Sequence, residues 1–277
     1  MTAGTLHGVV NCSLGSIEVI IMSDQARKAR QFRELHVPGT PLVLFNVWDA
    51  GSARAVAAGG AKAIATSSWS VATANGFADG EQLPLPFVIE NLRRIIGVSD
   101  LPVTVDLESG YGETPEAVRS SIALAIDVGA VGCNLEDSVP VEGRLRAATD
   151  QTVRIRSARR AAEASGVPFF INARTDVFFR RPAAQHDEAM ATEALERAMR
   201  YRDAGADGLF APGLIDIRLI ARLAAASPLP VNIMLQDGTP PVKALTDHGV
   251  ARISQGPAPY LLAMKALEAA ARAALSS

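Results

Sequence analysis

The chain has 277 residues, 48% hydrophobic and 5% aromatic, with 27 Lys and Arg against 29 Asp and Glu for a formal charge of −2. That balance excludes the basic surface of a nucleic-acid binder, and no apolar run approaches the roughly 20 residues of a membrane helix. Two cysteines, Cys12 and Cys133, are too few for a disulfide framework or a four-ligand zinc site, so a soluble, cytoplasmic globular enzyme is expected.

Residues 1–21 hold no Lys or Arg, so the charged front of a signal peptide is missing. Helical periodicity begins at Asp24. This sets residues 1–23 apart as an N-terminal extension, with Met22 a candidate start, and assigns 24–277 to one domain. Short apolar runs of strand length follow at 42–46, 63–67, 103–106, 132–136, 169–174, 208–211, 231–234 and 251–254. Between them lie longer stretches of helical period, such as 114–127 and 187–204. Four joints carry a glycine suited to ending a helix in the left-handed conformation: Gly59-Gly60, Gly129, Gly205 and Gly249. The other four strands follow Pro41, Pro102, Pro168 and Pro230, which block a helix and admit an extended strand. Eight strand–helix units at this length predict a single-domain (β/α)8 barrel. An open doubly wound sheet is disfavoured because no G-x-G-x-x-G follows any strand.

In such a barrel the chemistry sits at the C-terminal strand ends. The third strand leads into Asp106-Leu107-Glu108, whose two acids are spaced to face the same side. The fourth ends at Leu135-Glu136-Asp137 and the fifth at Asn172-Ala173-Arg174-Thr175-Asp176. The second ends at Thr66-Ser67-Ser68-Trp69, with Asp79 in the loop beyond. Any one acid alone would serve as a helix cap or a surface partner. Together they resist ionising unless a cation joins them. Hard oxygen ligands suit Mg²⁺, which keeps several waters, with Mn²⁺ the alternative. Asp106, Glu108 and Glu136 are the expected metal site.

Over nearly its whole length from about Gln31, the chain resembles the isocitrate lyase and phosphoenolpyruvate mutase superfamily. The markers are Trp48-Asp49-Ala50, the turn Thr66-Ser67-Ser68, Asp79, the run from Asp106 to Gly112, Leu135-Glu136-Asp137, and Asn172 to Asp176. The resemblance implies a metal-dependent lyase acting on a 2-oxo acid or related small carboxylate through an enolate, by C–C cleavage or decarboxylation. It implies Asp106 as the most direct metal ligand, with Glu108, Glu136 and Asp79 acting through water. Ser67, Ser68 and Trp69 would face the substrate carboxylate, and Arg174 would donate to the same ligand. Trp48 and Asn232 are further substrate-binding candidates, with core packing the other reading of Trp48. Catalytic roles would fall to Arg174, Asp79 and Glu136.

Departures from the family narrow the reaction. The lyases carry a cysteine and histidine in the loop after the fourth strand, but residues 138–151 here contain neither. The mutases carry Lys and Asn in that loop and a histidine at the end of strand six. This loop lacks both, and Pro212 stands at the strand-six position. Glu108 replaces the family's second aspartate. Phosphonate chemistry and non-catalytic binding of a 2-oxo acid are the alternatives. Cys133 reads as a small buried hydrophobe, and His36, His186 and His248 lie away from the strand ends. Arg154, Arg156, Arg159 and Arg160 read as a solvated helix face. The stretch 258–275 is more apolar than an outer helix should leave in water. With the resemblance, it implies a homodimer or homotetramer exchanging this helix; packing onto its own barrel is the alternative.

Overall fold

The computed structural model describes residues 23–276. The expected extension therefore lies outside the described residues except for Ser23, whose hydroxyl caps helix α1 (Asp24–Glu34) by accepting from the Ala26 N–H at 3.1 Å.

All eight predicted strands are present: β1 (Leu42–Leu44), β2 (Ile64–Ala65), β3 (Val103–Asp106), β4 (Gly132–Glu136), β5 (Phe170–Arg174), β6 (Gly208–Phe210), β7 (Val231–Met234) and β8 (Arg252–Ser254). They are parallel and run in the order β1-β8-β7-β6-β5-β4-β3-β2. Between β1 and β2 the ring is joined by the bridge of Val47 to Thr66, where the Val47 N–H donates to the Ala65 carbonyl at 2.8 Å. The molecule is a (β/α)8 barrel, as its punctuation predicted. Gly60, Gly129, Gly205 and Gly249 all take positive φ, between 81° and 107°. At Gly205 space adds to conformation, because a Cβ would lie 2.8 Å from the Arg159 side chain.

The strands are buried on both faces except at β1, but the interior is more polar than the branched aliphatic filling usual for such barrels. The Asn172 amide donates to Asn134 at 2.9 Å and to Asn232 at 3.1 Å, and Arg252 donates to Asn134 at 3.2 Å. Below, at the N-terminal end, the His36 ring stacks on Phe170 at 4.1 Å with Phe32 edge-on to both. Cys133 is fully buried, as expected.

The expectation of a solvated arginine face on α6 (Ala148–Ser165) is corrected. Arg156 and Arg160 are exposed, but Arg154 is buried and donates to the carbonyls of Ser109, Gly112 and Glu113. Arg159 donates to the Gly205 and Phe169 carbonyls and pairs with Asp207. Loop carbonyls with no partner in the sheet need donors, and a helix face turned toward them supplies guanidinium groups. The last helix, α10 (Ala258–Leu275), packs on its own barrel only at its start, through Pro259 and Tyr260, and beyond it Leu262 is 64% exposed and Leu267 62%. The outer face of β1 is also open at Val43 and Phe45. Among the described residues, no helix is long and apolar enough to cross a membrane.

Candidate active site

Parallel strands deliver their last residues to one end, and the ladders fix who stands beside whom. Asp106 lies level with Asn134, and Glu136 with Arg174. The mouth they share opens on a cavity of about 150 Å³ whose walls include Ser67, Ser68, Trp69, Asp79, Asp106 and Arg174. Six of the predicted site residues therefore converge.

Their hydrogen bonds define the polar side. The turn after β2 starts helix α3 (Ser68–Ala74), with Ser67 as its cap. Ser68 donates its hydroxyl to Asp106 Oδ2 at 3.0 Å, with its N–H at 3.4 Å from the same oxygen. The Asp106 N–H is held by the Thr66 hydroxyl at 2.9 Å. Opposite, Arg174 grips Asp176 through Nε at 2.6 Å and Nη2 at 3.1 Å, and reaches Glu136 through Nη1 at 2.9 Å. Its guanidinium lies 5.1 Å from the centre of the Phe179 ring. Burial alone would lower the pKa of Arg174, but Glu136 and Asp176 more than offset it and hold the group firmly cationic.

Glu108 and Glu136 belong to the cluster electrostatically but do not line the cavity. Glu108 Oε2 accepts from the N–H groups of Gly80 and Glu81, both at 2.8 Å, and Oε1 from the Tyr111 hydroxyl at 3.1 Å. Burial, then Asp79 and Asp106, push the Glu108 carboxyl up to about 8. Asp79 is raised by burial and by Asp106, and Glu136 by burial against the pull of Arg174. Trp48 and Asn232 also stand apart from the cavity lining. Trp48 is half-buried, edge-on to Tyr260 at 5.1 Å, while Asn232 is buried in the interior asparagine layer. His36, His186 and His248 lie away from the cavity.

A family model described as phosphoenolpyruvate phosphomutase matches residues 32–275. The chain belongs to the phosphoenolpyruvate phosphomutase family. The resemblance to the superfamily shared with isocitrate lyase is thus borne out. A solved structure from Burkholderia cenocepacia, of a protein provisionally named a phosphonomutase, is 56% identical with a TM-score of 0.88, covering 90% of this chain and 99% of that one. The 2-methylisocitrate lyase of Escherichia coli is 30% identical, over 76% of this chain and 71% of that enzyme. The oxaloacetate decarboxylase of Pseudomonas fluorescens is 28% identical, over 86% and 81%.

The donor set of this phosphomutase-family barrel suits a divalent cation that keeps its waters. Among the described residues no three acids, cysteines or histidines converge closely enough to cage an ion. Asp79 and Asp106, however, share a cavity, and the charge of Asp106 disfavours ionisation of Asp79. A cation there would reverse that penalty. Hard ions such as Mg²⁺ are commonly held by one or two carboxylates with water completing the shell.

Sequence reasoning missed the other half of the cavity. Asn46, Phe179, Phe210, Met234, Ser254 and Pro257 complete much of its wall. Phe210, Met234 and Ser254 each close their strands, as Asp106 and Arg174 do, so the same rule could have found them. Phe179 sits in a loop and carries no such signal.

Proposed function

We propose that this barrel is a divalent-metal-dependent lyase that cleaves a C–C bond of a 2-oxo acid, or of a related hydroxy acid, through an enolate. Decarboxylation is one form of that cleavage. The observation that carries the reading is the single cavity shared by Asp79, Asp106, Ser68 and Arg174. Its relatives among methylisocitrate lyases and oxaloacetate decarboxylases support it. Mg²⁺, or Mn²⁺ in its place, would be held most directly by Asp106, with Asp79 acting through water. When bound, it polarises the oxygens of the ligand and offsets charge developing there.

The chain's own groups do the rest. Arg174, fixed by Glu136 and Asp176, presents a charge-assisted donor to the carbonyl oxygen and counters its growing negative charge. Ser68 orients Asp106 through its hydroxyl, and the Trp69 N–H in the turn into α3 would face the carboxylate. Phe179 and Phe210 flank the guanidinium and keep water from it. Oxalate imitates the planar enolate and should bind more tightly than pyruvate if the site favours the transition state. Titration with oxalate in Mg²⁺ and again in EDTA tests the reading, with oxaloacetate turnover as the second readout. Equal oxalate affinity in both media would refute a metal-borne ligand.

We also propose that α10 seats on a second copy of the chain, giving a dimer or tetramer. Its exposed leucines and the exposed Val43 and Phe45 at β1 are apolar surfaces that a second copy would cover. A monomer by light scattering would refute this.

A further inference from the structure

The cavity is divided around the barrel. From β2 to β5 its wall carries every charged group, Asp79, Asp106 and Arg174, with Ser68 beside them and Trp69 and Phe179 between. From β6 onward its side chains are chiefly Phe210, Pro212, Met234 and Pro257, with no charge among them. Arg174 is the only cation among its described lining residues, and Glu136 and Asp176 already engage it. The polar side chains beside the apolar half are also committed. Asn46 accepts from the N–H groups of Gln255 and Gly256 through Oδ1 and donates to the Thr66 carbonyl through Nδ2. The Ser254 hydroxyl exchanges hydrogen bonds with Asn232. A carboxylate or phosphono group pointing at this half would lose its water and gain no charged partner.

We propose that the ligand is a 4-hydroxy-2-oxo acid with one carboxylate head, on the carbonyl side, and a short apolar chain beyond C4. Breaking C3–C4 leaves the electron pair on C3 as the enolate, releases the chain as an aldehyde and gives up the hydroxyl proton. A second carboxylate or a phosphono group does not belong there. This rests on the reading of the mouth as a 2-oxo acid site and narrows its substrates. Phe210, Pro212 and Met234 are then the residues that select the tail. An alkyl chain of a few carbons suits a cavity of about 150 Å³, and each buried methylene should gain roughly three- to fourfold in affinity.

The test is calorimetric displacement of oxalate, in Mg²⁺, by two ligands of near-equal size: 5-methyl-2-oxohexanoate and 2-oxoglutarate. Phosphonopyruvate serves as a third. The branched apolar acid should bind at least tenfold more tightly than either charged one. Met234→Lys, which supplies the missing cation, should shift the preference toward 2-oxoglutarate. Equal or tighter binding of 2-oxoglutarate or phosphonopyruvate to the unaltered protein would overturn the assignment of the tail while leaving the site intact. Failure of oxalate itself to bind would overturn the underlying reading, and the assignment with it.

Discussion

At the N-terminal end of the barrel Asp207 accepts from Arg33 at 2.7 Å, from the Ile171 N–H at 2.8 Å and from Arg159. Its charge is met on every side. At the C-terminal end Asp79, Asp106 and Glu108 lie near one another, and burial first, then their mutual repulsion, raises the carboxyls of Asp79 and Glu108. Both ends hide acids from water, but only the first pairs them with guanidinium groups; at the second the donors are the Ser68 and Tyr111 hydroxyls and backbone N–H groups. The contrast separates charges that hold the fold from charges kept at the fold's expense, which is where function is expected.

Exchanging one aspartate at each end should break the two properties apart. Asp106→Ala should reduce oxalate binding in Mg²⁺ to its level in EDTA and abolish turnover, with the melting temperature unchanged or raised as repulsion is relieved. Asp207→Ala should do the opposite. It leaves the half-buried Arg159 guanidinium without its carboxylate and the Ile171 N–H without its acceptor, which costs about 1–3 kcal/mol, while oxalate affinity stays put. Urea unfolding and calorimetry on both variants decide it, and a strongly destabilised Asp106→Ala would mean that the mouth is part of the framework.

The barrel's floor has its own pH signature. Burial, and then the nearby charge of Arg252, depress the His36 pKa from 6.5 to about 3. Below pH 6.5 the unfolded chain takes up a proton that the folded chain refuses, so stability falls as pH drops from there toward 3. That amounts to about 3 kcal/mol between pH 7 and pH 4. His36→Gln should flatten this part of the acid limb in urea titrations. An acid limb with unchanged slope would mean that His36 charges freely within the fold.

How far the sequence reached follows the same division. Strands, joints and the convergence of Asp106, Ser68, Asp79 and Arg174 were legible because they rest on local rules: short apolar runs, glycine at left-handed turns, proline before strands, function at strand ends. Glu108 was read through a spacing that holds only inside a strand. β3 ends at Asp106, and Glu108 adopts φ 50°, which turns its carboxylate to the Gly80 and Glu81 N–H groups. Arg154 was misread for a different reason, since its partners lie 41 to 45 residues away in a loop whose path no local pattern reports. The apolar half of the cavity went unread because an interior phenylalanine or methionine looks the same whether it meets a neighbour or a ligand.

The smallest expected effect tests the junction of the two kinds of charge. Arg174 belongs to both, since Glu136 and Asp176 tie it into the wall while its guanidinium lines the cavity. Arg174→Lys keeps the charge and loses the planar fork. A lysine ammonium in that position cannot reproduce the paired bonds to Asp176, the bond to Glu136, the contact with Phe179 and a directed donor to the ligand at once. The loss of about one charge-assisted hydrogen bond should weaken oxalate roughly tenfold, far less than Asp106→Ala does. The residual affinity should remain sensitive to EDTA, because the other half of the polar wall is untouched. Unchanged oxalate affinity in Arg174→Lys would show that the guanidinium braces Glu136 and Asp176 without donating to the ligand, and would move Arg174 from the site to its supports.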